Sequence, residues 1–170
     1  MAFRDVAKDF TENIPKHRDN LFYNTDGFVG PPKAPGIHRG SVNKPDDVML
    51  VQHFLKIVAL NPSKFQNPFK PPKRFPTMKV DGIFGDATAN WILAFQQHLK
   101  RIGRPIFVDG VVDRVINGIK LSPNGFIWTM VLLNVTMGQV TGEELWDEWW
   151  KEESVPALLR DKVRNPATFF

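Results

Sequence analysis

The chain has no cysteine among its 170 residues. That excludes disulfides, thiol nucleophiles and cysteine-ligated zinc. It also lacks any apolar run of the length that spans a bilayer, so no membrane-crossing segment is expected. The opening residues Met-Ala-Phe-Arg-Asp-Val-Ala-Lys-Asp-Phe lack the apolar stretch of a secretory signal. Synthesis in the cytoplasm without such a signal is the expectation, with a phage or injection particle as one destination. The motifs H-E-x-x-H, G-x-S-x-G and the P-loop are missing, as is G-x-G-x-x-G. His17, His38, His53 and His98 show no ligand spacing with one another. We therefore expect no enzyme, no catalytic residue, no metal and no cofactor.

What is plentiful is proline and phenylalanine, fourteen of each. Net charge is +4, which permits attraction to anionic polymers without demanding it. The length suits one domain with appendages.

The most structured stretch reads Val80-Asp81-Gly82-Ile83-Phe84-Gly85-Asp86-Ala87-Thr88. Asp81 can fold its carboxylate onto nearby backbone N–H groups, and Gly82 can take positive φ without steric cost. Ile83 and Phe84 are then expected to turn inward. Asp86 reads as an N-cap. Ala87, Trp91, Phe95, Leu99 and Ile102 follow on one helical face, with Gln96 and Gln97 flanking it and Gly103 stopping it. Trp91 and Phe95 read as core. A shorter echo of the turn stands at Val108-Asp109-Gly110-Val111-Val112-Asp113. Turn formation is the stronger reading of Asp81 and Asp109, ahead of calcium ligation.

Around this centre the chain divides into three segments. Residues 1–45 carry a short amphipathic helix (Phe3, Val6, Ala7, Phe10, Ile14) and a Gly/Pro-rich arm. Residues 46–135 hold the domain. Its first helix starts behind Pro45, with Asp46 as cap, and is apolar nearly all round. Ser122-Pro123 reads as the start of its last helix, with Gly138 near the end. Residues 136–170 carry one more helix, opened by a capping box at Thr141-Gly142-Glu143-Glu144, holding Trp146, Trp149 and Trp150, and stopped by Pro156.

Asp47 to about Leu133 resembles the peptidoglycan-binding-domain family. The family pattern has a helix with a leucine-glutamine pair, then a V-D-G-x-F-G-x-x-T turn and a helix ending near F-Q. A second D-G-x-V turn and a third helix complete it. Here Gln52 lies in the first helix; Asp81, Gly82, Phe84, Gly85 and Thr88 match the turn; Phe95 and Gln96 match the helix end; Asp109 and Gly110 match the second turn. The resemblance implies a mainly α fold with a three-helix core, here with an extended N-terminal arm and an extra C-terminal helix. It implies one module rather than a tandem repeat. It also implies a non-catalytic binding module that attaches to bacterial cell wall, with peptidoglycan or another wall glycan as partner.

Two surfaces are candidates for contact. The loop from Asn61 to Lys79 has no acidic residue and interleaves Phe65, Phe69 and Phe75 with Lys64, Lys70, Lys73 and Arg74. Its phenylalanines read first as pins to the body and second as stacking platforms. Nucleic acid is not the expected partner. Trp146, Trp149 and Trp150 read first as packing or interface residues and second as a glycan platform. The acidic run Glu143, Glu144, Asp147, Glu148, Glu152 and Glu153 reads as a solvated helix face. The alternative to wall attachment is a structural or adaptor protein of a phage particle, tail or contractile injection apparatus. In that reading the N- and C-terminal arms contact other protein subunits.

Overall fold

The computed structural model describes residues 23, 25–31, 42–115, 122–145 and 148–164. The expected N-terminal helix, much of the arm, Trp146 and the final residues lie outside the described residues. The fold is mainly helical. Among the described residues there are four helices: α1 (Pro45–Leu60), α2 (Asp86–Arg101), α3 (Thr129–Leu145) and α4 (Ala157–Arg164). Short 3-10 turns stand at Pro62–Lys64 and Trp149–Lys151. Among the described residues there is no strand, only two isolated bridges, Val29 with Val112 and Ile106 with Ile127.

α1 opens on Pro45, whose missing N–H is no loss in a first turn. Asp46 is not its cap. Lys44 holds that position without a side-chain bond, and Asp46 sits inside the first turn. Val48, Leu50, Val51, Phe54, Leu55 and Val58 bury the helix on several sides, as its apolar composition predicts. Its end is tied by the Asn61 side-chain amide, which donates to the Ile57 carbonyl at 2.8 Å.

α2 follows the expected register. Trp91, Ile92, Phe95 and Leu99 are buried, each worth roughly 1.5–3 kcal/mol of transfer free energy if aliphatic or phenyl-sized. Asp86 is the first helical residue rather than the cap, which is Gly85. Its charge still favours the open N–H groups of the helix start. Gly103, at φ 88°, ends the helix. Its N–H donates to the Lys100 carbonyl and that of Arg104 to the Leu99 carbonyl, both at 3.0 Å, the paired bonds of a Schellman stop.

α3 begins at Thr129, later than the Ser122-Pro123 pair predicts. Ser122 uses its hydroxyl as an acceptor for the Phe126 N–H at 3.1 Å, and its own N–H donates to the Phe126 carbonyl at 2.7 Å. The pair thus closes a turn, after which Ile127 bridges to Ile106. Gly138 lies inside α3, and the helix breaks its regular course at Gly142, with φ 70° and ψ 178°. Thr141 donates back to the Met137 carbonyl at 3.2 Å, so its hydroxyl faces the preceding turn and does not open a capping box. Beyond it Trp149 lies in a 3-10 turn, not in a long helix. Pro156 precedes α4 instead of ending the chain's helical part, and its carbonyl accepts the Arg160 N–H at 3.0 Å.

One hydrophobic cluster joins these parts. Tyr23 and Val29 enter it from the arm, and Trp149, Val155, Leu159 and Val163 from the C-terminal segment. Divisions after residues 45 and 135 therefore cross a continuous core. Tyr23 is further tied to α3: its N–H donates to Asn134 Oδ1 at 2.9 Å, and Asn134 Nδ2 donates to its carbonyl at 2.7 Å.

Candidate functional site: two glutamine-braced turns and a basic ridge

Gln52 projects from α1 into the first Asp-Gly turn and is 1% exposed. Its Oε1 accepts the N–H groups of Asp81 and Gly82, both at 3.0 Å. Its Nε2 faces Asp81 Oδ1 at 3.0 Å, the Ile83 carbonyl at 3.1 Å and Thr88 Oγ1 at 3.0 Å. The reverse amide orientation would set NH2 against two N–H donors, so the network fixes which way the side chain points. Asp81 Oδ1 also accepts the Ile83 N–H at 3.0 Å, and Thr88 donates to the Ile83 carbonyl at 3.2 Å. These bonds, led by the Ile83 N–H, hold the Asp81 pKa below its ordinary value. Gly82 takes φ 75°, as the turn demands.

The second turn repeats this arrangement atom for atom. Gln96, fully buried on α2, accepts the N–H groups of Asp109 at 3.2 Å and Gly110 at 2.8 Å. Its Nε2 faces Asp109 Oδ1 at 3.1 Å, the Val111 carbonyl at 2.8 Å and Thr129 Oγ1 at 3.0 Å. Asp109 Oδ1 accepts the Val111 N–H at 2.9 Å, and Gly110 takes φ 76°. Thr129 is thus the counterpart of Thr88, a residue the sequence motif did not single out. Its signal was weak because it stands 20 residues past Asp109, whereas Thr88 stands seven past Asp81. Gln52 was legible only as half of a leucine-glutamine pair. A fully buried amide on an apolar face was the available clue to a bracing role.

The motif residues therefore come together, in two clusters, as structural braces. Phe95 packs in the core, and Phe84 packs against it from the first turn. Ile83 does not turn inward as expected: it is 67% exposed, because Asp81 and Thr88 claim its backbone and leave the side chain outside. Gly85 would meet no atom within 4 Å if it carried a Cβ, so close packing does not require a glycine there.

The loop from Asn61 to Lys79 is fastened along α2. Phe69 is buried and meets Trp91, Phe95 and His98 edge-on at 5.8, 5.5 and 6.0 Å between centroids. Trp91 Nε1 donates to the Phe75 carbonyl at 2.7 Å. Phe65 and Phe75 are partly buried against the core. The phenylalanines are pins, and Lys64, Lys70, Lys73 and Arg74 are left on the outside. Arg74 lays its guanidinium 5.2 Å from the centre of the Phe75 ring. Under the loop lies a cavity of about 50 Å³ lined by Phe65, Phe69, His98 and Arg104 among others. This is far below the roughly 300–1,000 Å³ of small-molecule pockets.

The tryptophans divide. Trp149 is a core residue: it stacks on His53 at 4.8 Å and meets Tyr23 and Phe54 at 5.1 and 5.3 Å. Its ring has no free face for a sugar. Burial, with Lys56 nearby, lowers the His53 pKa to about 4, so this histidine is a neutral core residue at neutral pH. Trp150 is half-buried, with the Lys151 ammonium 5.7 Å from its ring centre. The structure does not gather Lys64, Lys70, Lys73 and Arg74 with Trp149 into one surface.

A last cluster lies at the start of α1, where carboxylate oxygens of Asp26, Asp46 and Asp47 stand within 4.8 Å of one another. Lys162 of α4 fills the centre, at 3.4, 3.0 and 2.7 Å. Burial opposes its charge, but bonds to Asp47 and Asp46 outweigh that and raise its pKa above the ordinary value. Asp47 also accepts the N–H groups of Asp26 and Gly27 at 2.8 and 3.0 Å. This ammonium does the work a metal would do, joining arm, α1 and α4.

Comparison with protein-family models, with curated proteins and with solved structures finds no match to this chain.

Proposed function

We propose that this chain is a non-catalytic binding module of peptidoglycan-binding-domain type that attaches to bacterial cell wall. The observation that carries the reading is the order of its parts. A glutamine on one helix bracing a D-G turn recurs twice, in the order that the resemblance implies, and a threonine on the following helix closes each brace. The two braces spend the conspicuous motif residues on architecture and leave the exposed cations of the loop for contact. A braced frame with a charged outer loop suits attachment to an anionic polymer. Co-sedimentation with purified insoluble peptidoglycan tests this: the chain is expected in the pellet at low salt. A chain that stays in the supernatant overturns the reading.

A second reading, a structural or adaptor protein of a phage particle, tail or injection apparatus, draws on one observation. Val42, Leu145 and Leu158 are 63%, 56% and 49% exposed, at the edges of the arm and the C-terminal segment. Apolar side chains so placed suit contacts with further subunits. Under this reading, size-exclusion chromatography with light scattering shows assembly. A monodisperse monomer with protease-resistant arms counts against it.

A further inference from the structure

We propose that the loop from Asn61 to Lys79 is a preformed ridge for a linear polyanion whose phosphodiesters repeat along a polyol chain. The wall-attachment reading supplies the source of that polymer; the charge chemistry stands on the ridge itself. Lys64, Lys70, Lys73, Arg74 and Lys79 are all exposed, and no acidic residue interrupts them. Among the described residues, none of the five lies in an ion pair: the pairs engage Lys44, Lys151 and Lys162 instead. The acidic groups of Asp26, Asp46 and Asp47 are already satisfied by Lys162.

The arrangement selects among anions. The charges do not converge on a point, as they would for one phosphate or carboxylate. They are strung along a loop that begins with Phe65 in the cavity beside Leu99 and Ile102, lays Phe69 across Trp91, Phe95 and His98, and reaches Trp91 again through the Phe75 carbonyl. Leu99 and Trp91 lie about 12 Å apart along the helix. A string of charges matches a string of charges. The ridge is also held before any ligand arrives, by Phe69 in the core and by the Trp91 bond to the Phe75 carbonyl, so little ordering cost falls on binding. Nucleic acid would add base stacking on exposed aromatic faces. Here Phe69 is 4% exposed, and Phe65 and Phe75 pack against the core, so that platform is turned inward. What remains is backbone-charge recognition without bases, by lysines acting as point charges.

The test uses the full chain and polyglycerol phosphate as probe. Two further samples are peptidoglycan stripped of anionic polymer and a single-stranded oligonucleotide of matched charge. Binding to polyglycerol phosphate is expected at about 50 mM salt, with log K falling linearly against log salt. The triple variant Lys70→Gln, Lys73→Gln, Arg74→Gln is expected to weaken it at least about tenfold and to flatten the salt slope. A charge-matched control, Lys44→Gln, Lys151→Gln, Arg160→Gln, is expected to change it less than about twofold. Circular dichroism melts check that both variants fold. Equal losses in the two variants overturn the ridge, since net charge alone would then explain binding. Tighter binding to the oligonucleotide overturns the choice of polymer. Retention on stripped peptidoglycan without binding to polyglycerol phosphate defeats the ridge and leaves wall attachment standing. The reverse result defeats attachment to peptidoglycan and leaves the ridge standing.

Discussion

The two D-G turns share one hydrogen-bond plan and differ in surroundings. In the first, Ile83 points outward and the carbonyl it offers to Gln52 is only partly buried. In the second, Val111 and Val112 are fully buried, Val112 exchanges backbone bonds with Val29 at 2.7 and 3.2 Å, and the Val111 carbonyl is buried. The long loop precedes the first turn, with 29 residues from Gln52 to Asp81, and only 13 separate Gln96 from Asp109. The same small device thus serves once at the rim and once within the core. Local chemistry sets the turn; the environment sets what its loss costs.

The largest expected effect comes from the braces. Gln96→Leu strands the buried Gly110 N–H, Val111 carbonyl and Thr129 hydroxyl, and a loss of about 4 kcal/mol is expected. Gln52→Leu, where the Ile83 carbonyl is only partly buried, is expected to cost about 2 kcal/mol. Urea melts of the two variants measure the gap. Equal losses would show that the turns are energetically alike despite their surroundings.

The next difference lies four residues past each aspartate, where the first turn has Gly85 and the second Asp113. Burial, helped by the charge of Asp109, raises the Asp113 pKa to about 7. The folded chain keeps this proton up to about pH 7, whereas the ordinary value is 3.8. Folded chain therefore binds more protons in that window, and stability falls as pH climbs from about 4 to about 7. His53 acts in the opposite sense. Its pKa is lowered from 6.5 to about 4, so its contribution is lost as pH falls through that range. Asp113→Asn is expected to add on the order of 2–3 kcal/mol at pH 8 relative to pH 4. Melts at three pH values check it. A variant whose profile parallels the parent chain would remove Asp113 from the account.

The smallest expected effect separates the glycines. Both adopt positive φ, which costs an alanine about 1 kcal/mol. A Cβ on Gly82 would also meet the Pro45 carbonyl oxygen at 2.8 Å, whereas one on Gly110 meets nothing within 4 Å. Gly82→Ala is expected to cost about 2 kcal/mol and Gly110→Ala about 1 kcal/mol, read from thermal melts. A reversed order would place the tighter backbone approach at the second turn.

Much of this frame was legible in the residues. The D-G turns, the buried stripe of Trp91 and Phe95, and the stop at Gly103 follow from spacing and from glycine's freedom, which are local properties. What escaped depends on partners distant in the chain. Asp46 looks like a capping residue until Lys162 arrives from α4 and pairs with it and with Asp47. Ser122-Pro123 looks like a helix start until Ile127 pairs with Ile106. Trp149 reads as a packing or interface residue, but which rings it packs on stays open until Tyr23 and His53 close over it. The bracing role of Gln52 was hidden for the same reason, since its acceptors lie about 30 residues away.

Thr88 at the head of α2 closes the first brace, and Gln96 on the same helix opens the second. Eight residues of helix, about 12 Å, separate them. The helix is therefore a shared beam between two joints. A fragment cut after Arg101 keeps the first joint but leaves Gln96 with its amide unmatched and the Phe95 side bare. One beginning after Leu60 keeps the second and strands Thr88. Neither half makes a self-sufficient unit, so the two joints are expected to melt together.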